Sequence, residues 1–132
     1  MKYEIKEKTS KYFRIDLGLR PGYEESQNSF SVEDIKAWYV EWQQMRTESN
    51  QPTFAGVVTE TSFVYPHEGK GMMEPAARIE GEVMRKYHES IFDNDEEILR
   101  VIRDLAEMLG FRAKQERVHI VFCDRSYVLE NQ

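Results

Sequence analysis

Hydrophobic and polar positions follow two rhythms along this chain, and each change of rhythm marks a new element. Phe13, Ile15, Leu17 and Leu19 alternate with Tyr12, Arg14, Asp16 and Gly18. That period of two predicts a strand with one buried face, ended by Pro21-Gly22. The lead-in Met1–Lys11 is polar, with Tyr3 and Ile5 alternating, and reads as a frayed extra edge strand. After a polar loop over Gly22–Phe30, Ser31 precedes Asp34 by three, a capping box with Asp in the place of Glu. Ile35, Trp38, Tyr39, Trp42 and Met45 follow at helical spacing, so the first helix is expected from about Val32 to Arg46. Thr47–Pro52 reads as a linker.

Thr53–Tyr65 is rich in Val, Thr, Phe and Tyr and predicts a long strand that Pro66 stops. His67–Gly71 reads as a mobile turn, and Pro75–Met84 as the returning strand of a hairpin. On that second strand Ala77, Ile79, Gly81 and Val83 share one face, and Arg78, Glu80 and Glu82 the other. Asn94, with Glu97 three residues later, caps a second helix. Ile98, Val101, Ile102, Leu105, Met108 and Leu109 form its apolar stripe, and Gly110 is expected just past its end. Val118–Cys123 reads as a central strand, turned by Asp124-Arg125 into a short strand through Tyr127-Val128-Leu129.

The order β-α-β-β-α-β predicts an α+β, ferredoxin-like domain spanning residues 1–132. It would hold a four-stranded antiparallel sheet, two helices on one face, and extra edge strands at the termini. The sheet face away from the helices then needs water, a ligand or another copy.

Composition narrows the partners. The chain has 132 residues, 40% hydrophobic and 32% charged, with a formal net charge of −6. That length suits one domain, and that balance suits a globular one. An acidic chain has no general attraction for nucleic acid, whose non-specific binding comes mainly from phosphate neutralisation. The single cysteine, Cys123, forms no internal disulfide and suits a reducing compartment. It sits in an apolar run and is expected to be buried and inert. The first residues lack the apolar core of a signal peptide, and no stretch approaches the ~20 apolar residues of a membrane span. The expected location is cytoplasmic, with no membrane partner.

Chemistry-bearing motifs are sparse. Gly69-Lys70-Gly71 lacks the upstream glycine and the following Ser or Thr of a phosphate-binding loop, so a hairpin tip is the plainer reading. His67, His88 and His119 match no metal-ligand spacing. No Gly-x-Ser-x-Gly is present, and Cys123 has no local activator. Acidic runs such as Asp95-Glu96-Glu97 read as solvated faces. Trp38 and Trp42, four apart, read as core. Adjacent Met72-Met73 reads either as an adaptable contact surface or as packing beneath the hairpin. The arginines are more informative. Arg14 and Arg78 fall on neighbouring strands and face away from the helices, while Arg20 and Arg125 lie at strand ends. Arginine suits phosphate or carboxylate, and Tyr12, Phe63 and Tyr65 offer stacking. The plainer alternative pairs these arginines with Asp16, Glu80 and Glu82 across strands.

Two resemblances follow. The long hairpin over two helices resembles PII-type and CutA-type proteins, ferredoxin-like trimers that bind nucleotides or metals at subunit clefts. Leu17-Gly18-Leu19, Phe63-x-Tyr65, Glu74-Pro75-Ala76, Arg117-Val118 and Phe122-x-Asp124 resemble small proteins of phages and their bacterial hosts. Some phage proteins of this size, the anti-Thoeris sponges, sequester nucleotide-derived immune signals.

Together these imply a non-enzymatic homo-oligomer that binds a small anionic, nucleotide-derived ligand and has no cofactor, metal or catalytic residue. Arg14, Arg20, Tyr65, Lys70 and Arg78 are the expected ligand contacts. The first alternative is a protein-interaction module docking a basic partner through the acidic surface and Met72-Met73. The second is a small enzyme on the same scaffold, with His119 and Tyr127 the first pair to test.

Overall fold

The computed structural model describes residues 1–6, 9–21 and 29–131. Its elements are β1 (Lys11–Gly18), α1 (Val32–Glu48), β2 (Val57–His67), β3 (Lys70–Val83), α2 (Asp95–Arg112), β4 (Arg117–Phe122) and β5 (Arg125–Glu130). The strands form a five-stranded sheet in the order β2-β3-β1-β4-β5, antiparallel at every pairing. The fold is therefore α+β, with two helices and five strands rather than four.

Period two holds along β1. Phe13, Ile15 and Leu17 are fully buried, and they meet Gly81, Ile79 and Ala77 of β3 in register. Ile120 and Phe122 of β4 complete that face. Against it lie Ile35, Tyr39 and Trp42 of α1 and Ile98, Val101, Ile102, Leu105 and Leu109 of α2, all buried, with Met108 of the α2 stripe only partly so. Removing this much apolar surface from water is the main stabilising term for the fold.

Both helix starts follow the caps in the sequence. Ser31 Oγ accepts from Asp34 N, and Asp34 returns the bond to Ser31 N. Asn94 Oδ1 accepts from Glu97 N. Elsewhere the structure departs from expectation. The first helix runs two residues further, to Glu48. Gly110 is an internal, buried residue of α2, not its terminator. A Cβ there would lie 2.5 Å from Val118 Cγ2, so the glycine serves the close approach of α2 to β4. Lys114, at φ 54°, makes the exit instead.

No strand forms among the described residues before Lys11, so the expected N-terminal edge strand is absent there. The second strand starts at Val57, not Thr53. The Phe54 carbonyl accepts from Tyr39 Oη and from Gln43 Nε2 at 3.1 Å, which ties this stretch to α1. Pro66 does not stop β2. It pairs with Gly71 on an edge strand, where a missing N–H is tolerated. The expected five-residue turn is a two-residue one, Glu68-Gly69, at φ 51° and 77°. Two positive-φ residues fit the twist of a tight hairpin.

β1 pairs with β3 only as far as Gly18 and Ala76. Beyond that row the β2–β3 hairpin projects as an arm. Val64 and Met73 are exposed on one of its faces, and Tyr65 and Met72 are partly exposed on the other. Cys123 is exposed at the β4–β5 turn, at φ 54°, and not buried in a strand. Partial desolvation, together with the Asp95 and Asp124 carboxylates, pushes its thiol above the ordinary range. Among the described residues no helix is long and apolar enough to cross a membrane.

Candidate functional site on the open sheet face

The sheet face away from the helices carries the polar side chains of all five strands, and its registers bring them into rows. Asp16 of β1 stands between Arg78 of β3 and His119 of β4. Asp16 is 7% exposed and is the one buried charged residue among those described. Its two carboxylate oxygens are shared between two arginines. Arg14 Nε donates to Oδ2 at 2.8 Å, and Arg78 Nε donates to Oδ1 at 2.7 Å. This bond holds the Arg78 guanidinium even more firmly protonated than usual. One row along, Tyr12 Oη donates to Glu80 Oε2 at 2.6 Å. Desolvation, then the Glu80 contact, raises the Tyr12 phenol above its ordinary value.

The next row toward the arm has almost no side-chain bulk. Gly18 faces Ala76, which is fully buried. A Cβ on Gly18 would lie 2.5 Å from Gln115 Oε1 and 3.2 Å from Glu74 Oε1, so both polar groups converge on this point. Gln115 is held there by donating to the carbonyls of Arg20 at 2.7 Å and Ala113 at 3.1 Å. Phe63 and His119 meet edge to face near this floor, with ring centroids 6.1 Å apart. Along the base of the arm runs a shallow concavity of about 500 Å³ lined by Glu60, Thr61, Ser62, Met73, Glu74 and Pro75, of which only Thr61 and Glu74 alternate onto the open face.

The five expected ligand contacts fall into three places. Arg14 and Arg78 share one carboxylate at the centre of the sheet. Arg20 is exposed just past β1, and its carbonyl receives Gln115. Tyr65 lies on the arm, and Lys70 stands at its tip beside His67. Lys70 is eight residues from Arg78 along β3, roughly 26 Å at about 3.3 Å per residue, so one small ligand does not reach both. His119 and Tyr127 lie on opposite faces: His119 shares the open face with Asp16, whereas Tyr127 packs against the core.

Sequence reasoning missed Glu74 and Gln115. Glu74 entered only through the Glu74-Pro75-Ala76 resemblance, with no role attached, and Gln115 lies in the α2–β4 connection. Gly18 opposite Ala76 on the polar face was the available signal: two small residues where bulk is expected mark a place where something else comes close.

No family model matches the chain, and no curated protein matches it. Two solved structures are similar in fold. One is a phage SAM lyase in complex with S-methyl-5′-thioadenosine, with a TM-score of 0.65 and 16% identity over 97% of this chain and 97% of that one. The other is a phage SAM lyase in the apo state, with a TM-score of 0.59 and 17% identity over 92% and 90%. The kinship with phage proteins expected from the sequence is thus present at the level of fold. The expected non-enzymatic binder is corrected to this extent: both solved structures found similar in fold are of an enzyme, a phage SAM lyase. Arg14 and Arg78, two of the expected ligand contacts, each give Nε to Asp16.

Proposed function

We propose that this chain is an enzyme that cleaves S-adenosylmethionine with release of S-methyl-5′-thioadenosine, on a ferredoxin-like core extended by β5. The observation that carries this reading is full-length likeness to the phage lyase, joined to a sheet face on which Glu74, Gln115, Phe63 and His119 converge over the Gly18–Ala76 row. The substrate is a nucleoside joined through a sulfonium to an amino acid. Release of the thioether breaks the bond from sulfur to the methionine γ carbon. The bonding electron pair goes to sulfur, which leaves uncharged, while an oxygen of the substrate's own α-carboxylate bonds to that γ carbon, so the amino-acid part leaves as a five-membered lactone.

Such a step needs alignment and a suitable field more than a strong nucleophile. The Phe63–His119 pair offers an aromatic surface for the adenine. Glu74, at the Gly18–Ala76 floor, offers a carboxylate to the ribose hydroxyls or to the sulfonium charge. In a phage setting the activity would strip the host of its methyl donor, which is an anti-defence role in the cytoplasm. The same reading takes the protein as a homo-oligomer. An isolated two-stranded arm with apolar groups on both faces is marginal in water and gains from being covered.

The test is direct. Purified protein is incubated with S-adenosylmethionine, and S-methyl-5′-thioadenosine is followed by chromatography and mass spectrometry. Formation well above the rate in buffer is expected. Product formation no faster than in buffer overturns the reading.

A further inference from the structure

We propose that the central row of the open face is an amino-acid subsite, in which Arg14 and Arg78 grip an α-carboxylate and Glu80 takes the neighbouring α-ammonium. This rests on the reading above and identifies which end of the substrate meets which part of the sheet.

The geometry is that of a clamp held from behind. Asp16 takes one N–H from each arginine, in both cases Nε, the donor nearest the backbone. The side chain of Asp16 is only 10% exposed, whereas those of Arg14 and Arg78 are 31% and 36% exposed. The carboxylate therefore sits at the bottom, and neither guanidinium gives its terminal nitrogens to it. Those terminal N–H groups are the planar fork that suits a second carboxylate, although the Arg14 guanidinium also lies against the Tyr12 phenol oxygen. Fixing Nε in advance removes much of the ordering cost of that recognition.

The local charges leave room for such a guest. Asp16 balances one of the two guanidiniums, and its other cross-strand neighbour, His119, adds no negative charge. Glu80 is the cross-strand partner of Arg14 and lies near enough to act on Arg78. Only Glu80 Oε2 is used by Tyr12; Oε1 has no hydrogen bond to any described residue. Two arginine forks beside one half-used carboxylate match a zwitterion, one sign to each pole.

The spacing also fits. Glu74, on the floor near the Phe63–His119 pair, lies four residues from Arg78 on β3, about 13 Å at roughly 3.3 Å per residue. An extended ligand with an amino acid at one end and a nucleoside at the other would span the two.

The experiment reads the clamp and the reaction separately. Arginine Nε–H resonances of the ¹⁵N-labelled protein are assigned to Arg14 and Arg78 by their loss in R14K and R78K. L-Methionine, L-methioninol (which lacks the carboxylate), inorganic phosphate and S-methyl-5′-thioadenosine are then titrated in turn. Both resonances are expected to move with L-methionine and to stay with methioninol and the thioadenosine. No movement with L-methionine, or movement with phosphate alone, overturns the proposal.

Turnover supplies the second readout. R14Q and R78Q are each expected to raise KM for S-adenosylmethionine roughly tenfold or more, the value of a charge-assisted hydrogen bond. Their affinity for S-methyl-5′-thioadenosine should stay within about twofold of the parent, because that ligand has no amino-acid end. Equal losses for both ligands overturn the assignment. If resonances respond to L-methionine but no S-adenosylmethionine is cleaved, the proposed enzyme falls and the subsite stands. If cleavage occurs and the resonances stay still, only the subsite falls.

Discussion

Phe63 on β2 and His119 on β4 meet edge to face, although β3 and β1 run between their strands. They reach each other because the intervening row is Ala76 and Gly18, which add little bulk of their own and leave room for Gln115 and Glu74 to close over Gly18. The contact and the small-residue floor are one feature. If adenine stacks there, Phe63→Ala should weaken binding of S-methyl-5′-thioadenosine about tenfold, the low end of base–aromatic stacking. Calorimetry on the variant checks this, and unchanged affinity counts against the placement.

Gly18→Ala separates site from stability. The atoms its Cβ would meet are the ends of two flexible side chains, Gln115 and Glu74. They should swing aside at a cost within about 1 kcal/mol, below the usual range for overpacking a rigid core. Catalysis should suffer far more, because the same two groups would leave the floor. Denaturant melts and turnover measured on the same preparation give the comparison.

Glu74→Gln keeps shape and removes charge. Loss of one charge-assisted contact to the substrate should lower kcat/KM for S-adenosylmethionine by about 10- to 100-fold, without changing the denaturation midpoint. Activity equal to the parent would remove Glu74 from the site.

Gly110→Ala tests the contact between α2 and β4. Helix propensity alone favours alanine by about 1 kcal/mol. The Cβ would nevertheless stand 2.5 Å from Val118 Cγ2, on a strand with little freedom to yield. A net loss of about 1–3 kcal/mol is expected, by the ordinary cost of overpacking. The double variant with Val118→Ala should recover part of that loss relative to Val118→Ala alone, as shown by a double-mutant cycle.

Tyr39 makes stability depend on alkaline pH. Burial pushes its phenol far above the ordinary value of 10.0, since the ionised form would sit among the core residues. In the unfolded chain Tyr39 ionises near that ordinary value. Above it the unfolded state binds fewer protons than the native state, so stability falls as pH rises. Tyr39→Phe should lose about 1 kcal/mol at neutral pH, with Gln43 still serving the Phe54 carbonyl. It should also show a shallower decline above pH 10 than the parent in urea melts across a pH series.

The parts of the fold that were legible in the sequence are those set by local pattern. The α2 stripe, both N-caps and the period-two run of β1 need only neighbours in sequence to be recognised. Misreadings came where a distant partner decides. Thr53–Gly56 has strand-like composition, but Tyr39 and Gln43 claim its carbonyl. Gly110 looks like a helix terminator until Val118 is brought against it. Pro66 looks like a strand breaker until β2 is known to be an edge. The site shows the same limit. Alternation put Arg14 and Arg78 on the open face of neighbouring strands, yet only the register reveals that both close on Asp16. Glu74, Gln115 and the Phe63–His119 contact depend on which strands lie side by side, and no spacing in the sequence encodes that.

The arm begins where β1 stops, at the row of Gly18 and Ala76. On one side of that row β3 is flanked by two strands; on the other it has β2 alone. Bending stiffness therefore drops abruptly at one line across the sheet. The tight Glu68-Gly69 turn keeps the arm itself in fixed register, so any bending concentrates at that line and not at the tip. The line of weakness runs through the floor where Glu74 and Phe63 converge. Bending at that line would change the distance of those two side chains from His119 and Asp16, which lie on the stiffer half.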